Sequence, residues 1–195
     1  MNDVDDKVYT FDELSPRAQE KALDKARDWN VIDHGWWECT YEDATRIGAM
    51  LGIEIDARSV SFELDVGLCF SGSYTFAPDA IAKVKSEAPI DSTLHALSEA
   101  LTVASMTYMI ETGDELCVHI SSTSWRQIYT LSFSMDSCSY YEADVPEAIE
   151  SAINSFAEWF LQNLQNEYDY LTSDERLKEM FADNDYKFDE DGSII

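Results

Sequence analysis

Ile149, Ile153, Phe156, Phe160 and Leu164 recur at steps of three and four between residues 145 and 170. A helix turns once in about 3.6 residues, so this spacing sets five large apolar side chains on one stripe. Pro146 follows a small acidic turn and suits the first helical position, where a missing N–H costs nothing. Glu147, Glu158 and Asp169 fall on the opposite side. Such a helix needs a core from the rest of the chain and turns negative charge to water. The remaining sequence carries both themes.

Near the start, residues 8–11 read as a short strand. Ser15 then caps a helix that has Pro16 in its first position. Ala18, Ala22, Ala26 and Trp29 share its inner face. Arg17, Glu20, Lys21, Asp24, Lys25, Arg27 and Asp28 alternate in sign on the outer one, where close ion pairs support an exposed helix. A second helix begins near Trp36, with Trp37, Tyr41, Ala44, Gly48 and Leu51 in line. Glycine weakens a helix interior, so Gly48 signals the close approach of another backbone, and Gly52 ends the helix.

The pattern then changes to period two. Val60, Phe62, Leu64 and Val66 alternate with Ser59, Ser61, Glu63 and Asp65. After Gly67, Leu68, Phe70, Tyr74 and Phe76 oppose Cys69, Ser71, Ser73 and Thr75. Two strands of a hairpin with one buried face follow from this. A short helix over residues 78–87 precedes one that Asp91 or Ser92 caps, with Leu94, Leu97, Leu101, Ala104 and Tyr108 as its stripe. Val103, Met106 and Ile110 form a second apolar patch, which predicts burial on most sides. A second hairpin pairs Leu116, Val118 and Ile120 with Tyr129, Leu131, Phe133 and Met135. The long helix follows, then a short one over residues 173–182, and residues 186–188 read as an edge strand. The expected fold is a single α+β domain over residues 1–195, in two layers. Its sheet is antiparallel, with about four strands in two hairpins, and amphipathic helices pack on one face. From about residue 145 the chain is an acidic helical segment and tail.

The net charge of -26 spread over 195 residues limits the partners. Residues 141–195 carry 15 acidic and 3 basic side chains, whereas residues 15–40 carry 5 and 4. Phosphates would be repelled, so direct binding to nucleic acid is disfavoured. A basic protein would be drawn in, its approach steered by charge. No apolar run reaches about 18 residues, so no membrane span is expected. The polar, acidic first residues are the reverse of a signal peptide, and the expected location is the cytoplasm.

Catalytic chemistry has little support. Cys39, Cys69, Cys117 and Cys138 are widely spaced, contain no C-x-x-C pair, and read as reduced, buried thiols. His34 and Cys39 stand five apart beside two tryptophans, with no orienting group in view. His95 and His119 add no metal spacing. In the 189–192 run, Gly192 would put the first ligand of a calcium loop on Lys187 and leave no twelfth, so this run reads as a turn. No enzyme, metal or cofactor is expected.

Several motifs are family-like. They are the run 9–22 (YTFDELSPRAQEKA), Trp36-Trp37-Glu38, Tyr41-Glu42-Asp43-Ala44, Leu51-Gly52-Ile53-Glu54-Ile55, Cys69-Phe70-Ser71-Gly72-Ser73-Tyr74 and the tail 184–192 (NDYKFDEDG). Together they resemble a family of bacteriophage and prophage proteins without an assigned activity, sometimes labelled antitoxin-like. The resemblance covers about residues 8–76 and, more thinly, the C-terminus; it does not extend over 77–140. Relatives often carry a glycine- and glutamine-rich segment where Phe62-Glu63-Leu64-Asp65-Val66-Gly67-Leu68 stands here. No catalytic residue carries over.

The resemblance implies a phage context, in which small acidic proteins often inhibit host defence, anti-CRISPR proteins among them. The expectation is an anti-CRISPR or related anti-defence inhibitor acting in the host cytoplasm. It would bind a basic nucleic-acid-binding protein or a CRISPR effector complex of the host, with carboxylates imitating a phosphate backbone. The expected contacts, exposed by pattern and dense in charge, are Glu147, Glu158, Asp169, Asp174, Glu175, Asp183 and Asp185. Trp36, Trp125 and Trp159 are the aromatic anchors of a rival interface. The alternative function is an antitoxin-like or regulatory module that neutralises a small basic protein. Homo-oligomers are left open.

Overall fold

The apolar stripe of the long helix lies in the core: Ile149, Ile153, Phe156, Phe160 and Leu164 are each no more than 1% exposed. A computed structural model describes residues 7–32, 35–125, 128–135 and 144–195, with side chains throughout except at 123–125, 128–130, 135 and 144. In chain order a 3-10 helix (Phe11–Glu13) precedes α1 (Pro16–Ile32) and α2 (Glu38–Leu51). Then come β1 (Ile53–Glu63), β2 (Gly67–Thr75), α3 (Ala80–Glu87), α4 (Ser92–Thr112), β3 (Cys117–Trp125) and β4 (Ile128–Met135). The long helix α5 (Asp144–Thr172) and α6 (Asp174–Asp183) follow. The fold is α+β, as the two periodicities predict.

The chain divides into two compact units, residues 38–165 and residues 1–37 with 166–195. In the first, the strands form one antiparallel sheet in the order β1-β2-β3-β4. Register sets Ile53 opposite Tyr74, Tyr74 opposite Val118, and Ile120 opposite Phe133. These residues share the helix-covered side, where Ile53, Tyr74, Val118 and Ile120 are buried. Phe70 meets Phe156 edge-on at 6.1 Å, and Phe160 meets Tyr41 of α2 at 5.3 Å. The reverse side carries Ser73, His119 and Ser134 in one row and Ser121 and Ser132 in the next. On β4 the expected phase holds, with Leu131 and Phe133 half-buried and Ser132 and Ser134 exposed.

The first hairpin differs from its expected form. β1 starts at Ile53, and four residues between Asp56 and Ser61 stand against Phe70 alone. A bulge of this kind shifts the alternation. The turn comes earlier than Gly67: Val66 N–H closes on the Glu63 carbonyl at 3.1 Å, and Asp65 takes φ 64°, a left-handed value that aspartate tolerates. Leu64 is therefore a half-buried turn residue and Val66 is exposed, neither being on the inner sheet face. Gly48 behaves as its position suggests. A Cβ there would stand 3.0 Å from the Ile53 carbonyl oxygen and 3.3 Å from Phe156 Cζ.

α4 also departs from expectation. Leu94, Leu97, Leu101, Ala104 and Tyr108 are buried, but Val103, Met106 and Ile110 are 65%, 50% and 80% exposed. They lie on the side of the helix turned away from the leucine stripe, so α4 is buried on one side only.

In the second unit, Leu14, Ala18, Ala22, Leu23 and Ala26 pack on Leu177 and Phe181 of α6 and on Phe188. Ser15 Oγ accepts from Ala18 N–H at 3.3 Å, the expected cap of α1. Residues 8–11 are not a strand. Tyr9 alone exchanges two 2.9 Å backbone bonds with Phe188, because the chain then turns into the 3-10 helix, where Thr10 N–H donates to Glu13 at 2.8 Å. Phe188 bridges Ile194 as well, so the tail forms isolated bridges in place of an edge strand. The 189–192 run is a turn, with Asp189 Oδ1 accepting from the N–H groups of Asp191 and Ser193.

Candidate acidic partner-binding surface

Two helices carry acid with no basic residue among it. α4 contains Glu99 and Glu111 and no lysine or arginine. α5 contains Asp144, Glu147, Glu150, Glu158, Glu167 and Asp169, and again no lysine or arginine. Their apolar stripes face the core; Glu99, Glu111 and Glu150 are exposed, whereas Glu167 is half-buried. Glu147 and Glu158 are exposed, and neither forms an ion pair among the described residues. Eleven residues are close to three helical turns, so the two share a stripe and stand about 16 Å apart.

The other five expected contacts are also exposed and lie in the smaller unit. Asp169 is near the end of α5. Asp174 and Glu175 occupy the first turn of α6, where Ser173 Oγ accepts from Arg176 N–H at 3.3 Å and the helix dipole favours acid. Asp183 ends α6, about 14 Å along the axis from Asp174. Asp185 follows with φ 53°. The seven carboxylates are thus a pair on α5, Asp169, and the two ends of α6.

They are not equally available. Arg27 bridges Asp174 and Asp24, with Glu20 at 4.0 Å, and the Asp174 contact is the main cause that raises the Arg27 pKa. Lys21 pairs with Asp191 at 3.7 Å, and Lys25 donates to Ser193 at 3.1 Å. These cations of α1 are occupied within their own unit. Asp174 is an internal partner more than a free contact, which the sequence pattern does not reveal.

The aromatic candidates are less open than the acids. Trp36 is half-buried, with ring contacts to Trp37 at 5.6 Å and Tyr168 at 5.7 Å. Trp159 is half-buried, stacks on Phe156 at 5.7 Å, and donates from Nε1 to Asp91 Oδ2 at 2.9 Å. The side chain of Trp125, together with His34 and Cys138, lies outside the described residues. Trp29, which the pattern places on the inner face of α1, is 41% exposed beside Tyr186.

Cys39 is exposed at the first turn of α2, contrary to expectation, because that turn precedes the buried part of the helix. Cys69 is buried, and burial pushes its thiol pKa up. His95 Nε2 bonds the Ala88 carbonyl at 2.8 Å, and His119 is exposed on β3. Among the described residues no group of three or more His, Cys, Asp or Glu could hold a metal ion. No described helix is long and apolar enough to cross a membrane. What the surface offers is rows of carboxylates that accept hydrogen bonds from lysine and arginine, beside exposed aliphatic groups on α4.

A family described as a domain of unknown function, DUF8835, matches residues 36–174. No curated protein and no solved structure matches the chain.

Proposed function

The chain belongs to the DUF8835 family, and we propose that it is an acidic binding protein that occupies the nucleic-acid-handling surface of a basic partner. The carrying observation is the charge of α4 and α5: eight carboxylates and no lysine or arginine. A surface of this kind attracts the same lysines and arginines that hold a phosphate backbone. The resemblance to phage proteins supplies the setting. The specific reading is an anti-defence inhibitor, an anti-CRISPR directed at an effector complex in the host cytoplasm, with no enzymatic step. Glu147, Glu158 and Asp169, all exposed on α5, are the first contacts to test.

Affinity capture from a bacterial host lysate, with and without nuclease, tests this reading. The expected catch is a DNA- or RNA-binding complex that survives nuclease and is released by added duplex. The antitoxin-like reading draws on the same charge and on the exposed aliphatic groups of α4, which suit a small folded basic protein. Capture of such a protein, unresponsive to duplex, would favour it and displace the first reading.

A further inference from the structure

Between α4 and α5 runs an apolar groove of about 590 Å³. Ser92, Ala96 and Ala100 form one wall, and Ala148, Ser151 and Ser155 the other. Apart from Leu97 and Thr93 the lining is alanine and serine, so a third backbone can come close, as helices do at axial distances of about 8–10 Å. The wall from Ser92 to Ala100 is about 12 Å long, roughly two helical turns. Val103 and Ile110, both exposed, extend the Ala96 and Ala100 row along α4 at steps of three and seven residues.

We infer that this groove is the docking site for a basic amphipathic helix of the partner protein. The inference rests on the reading of an acidic binding protein and adds where, and in what shape, the partner binds. Charge selects the occupant. The helices that form the walls carry no lysine or arginine, and Glu147 and Glu158 stand exposed on one of them. A second copy would bring the same carboxylates against these, and nucleic acid would be repelled. A helix with apolar residues at i, i+3 or i+4 and i+7 fills the groove, while its flanking lysines or arginines reach the acids. Glu99 already holds Lys85 at 2.8 Å, leaving the α5 side as the more open rim.

The probe is an 18-residue peptide with leucines at helical spacing and lysines elsewhere. Its control is a scramble of the same composition that has no apolar face. Affinity is measured by fluorescence anisotropy on the full chain. The expected result is that the amphipathic peptide binds about tenfold more tightly than the scramble, and that Ala100→Trp or Ala148→Trp removes the difference. Both alanines are exposed, so the variants fill the groove without entering the core, and circular dichroism checks that each is folded. Glu147→Lys with Glu158→Lys should weaken both peptides. Equal binding of peptide and scramble, no binding of either, or a preference unchanged in both tryptophan variants would overturn the groove. The acidic-surface reading fails separately, if the two reversals leave the affinity of both peptides and the capture of the partner unaltered.

Discussion

Trp159 Nε1–H donates to Asp91 Oδ2 at 2.9 Å, while Asp91 Oδ1 accepts from the N–H of Leu94 at 3.0 Å. One carboxylate therefore caps α4 and ties its start to α5. Loss of the cap costs about 0.5–2 kcal/mol, and the indole bond adds about 1 kcal/mol. Asp91→Ala should lower stability by roughly 1.5–3 kcal/mol in urea unfolding, whereas Asp91→Asn should lose less. Trp159→Phe should leave the cap intact and remove only the second contribution. Equal losses in all three variants would contradict this division of labour.

Phe156 and Phe160 test the core. Both are no more than 1% exposed, and one faces Phe70 while the other faces Tyr41. Truncation of either to alanine should cost about 3–5 kcal/mol. Val103→Ala and Ile110→Ala, on the exposed side of α4, should each stay within about 0.5 kcal/mol. The contrast between the two sets is read from the same urea curves.

Gly48 gives a steric test. A methyl group would meet the Ile53 carbonyl at 3.0 Å, tight contact that offsets the roughly 1 kcal/mol alanine gains in a helix. Gly48→Ala should change stability little. Gly48→Val carries branches that the site cannot hold, and should destabilise by about 1–3 kcal/mol. A valine variant as stable as the alanine one would mean that α2 does not lie this close to the start of β1.

Alkaline titration has a defined sign. Burial pushes the Tyr41 phenol up to about 12 from an ordinary 10.0. Its neutral form is favoured in the folded chain, so its contribution is whole below pH 10 and is lost as pH rises through 12. Burial also raises Tyr74, which bonds Ser105 Oγ at 2.7 Å. The urea midpoint should fall over that window, and Tyr41→Phe should flatten the fall. On the acid side, the Thr10 N–H lowers Glu13 and Lys85 lowers Glu99. Those contributions stand above the ordinary 4.5 and fade as pH drops through the lowered values.

Periodicity alone locates the buried stripe of α5, because five residues repeat at the helical step and a core must meet them. Gly48 is legible for a similar reason, since glycine inside an apolar helix face needs a neighbour. The start of β1 is not, because the bulge between Asp56 and Ser61 breaks the alternation that a reader follows. Val103, Met106 and Ile110 show the limit of composition, which says that a residue is apolar and not what covers it. The seven carboxylates are exposed as pattern predicts. The tie from Asp174 to Arg27 spans 147 positions and leaves no local trace.

On the proposed reading, carboxylates make the contact with the partner. The most direct measurement is a titration of the captured partner against the native chain and against Glu147→Lys, Glu158→Lys, Asp169→Lys, at rising salt and with duplex DNA as competitor. Opposite charges are screened over about 8 Å at physiological ionic strength, so affinity should fall steeply with salt. Each exposed pair contributes only about 0–1 kcal/mol, so single reversals should do little and the triple reversal much more. Steep salt dependence, displacement by duplex, and loss of binding in the folded triple variant are expected. Affinity that is insensitive to salt and survives the triple reversal, yet collapses in Trp36→Ala or Trp159→Ala, would contradict that reading.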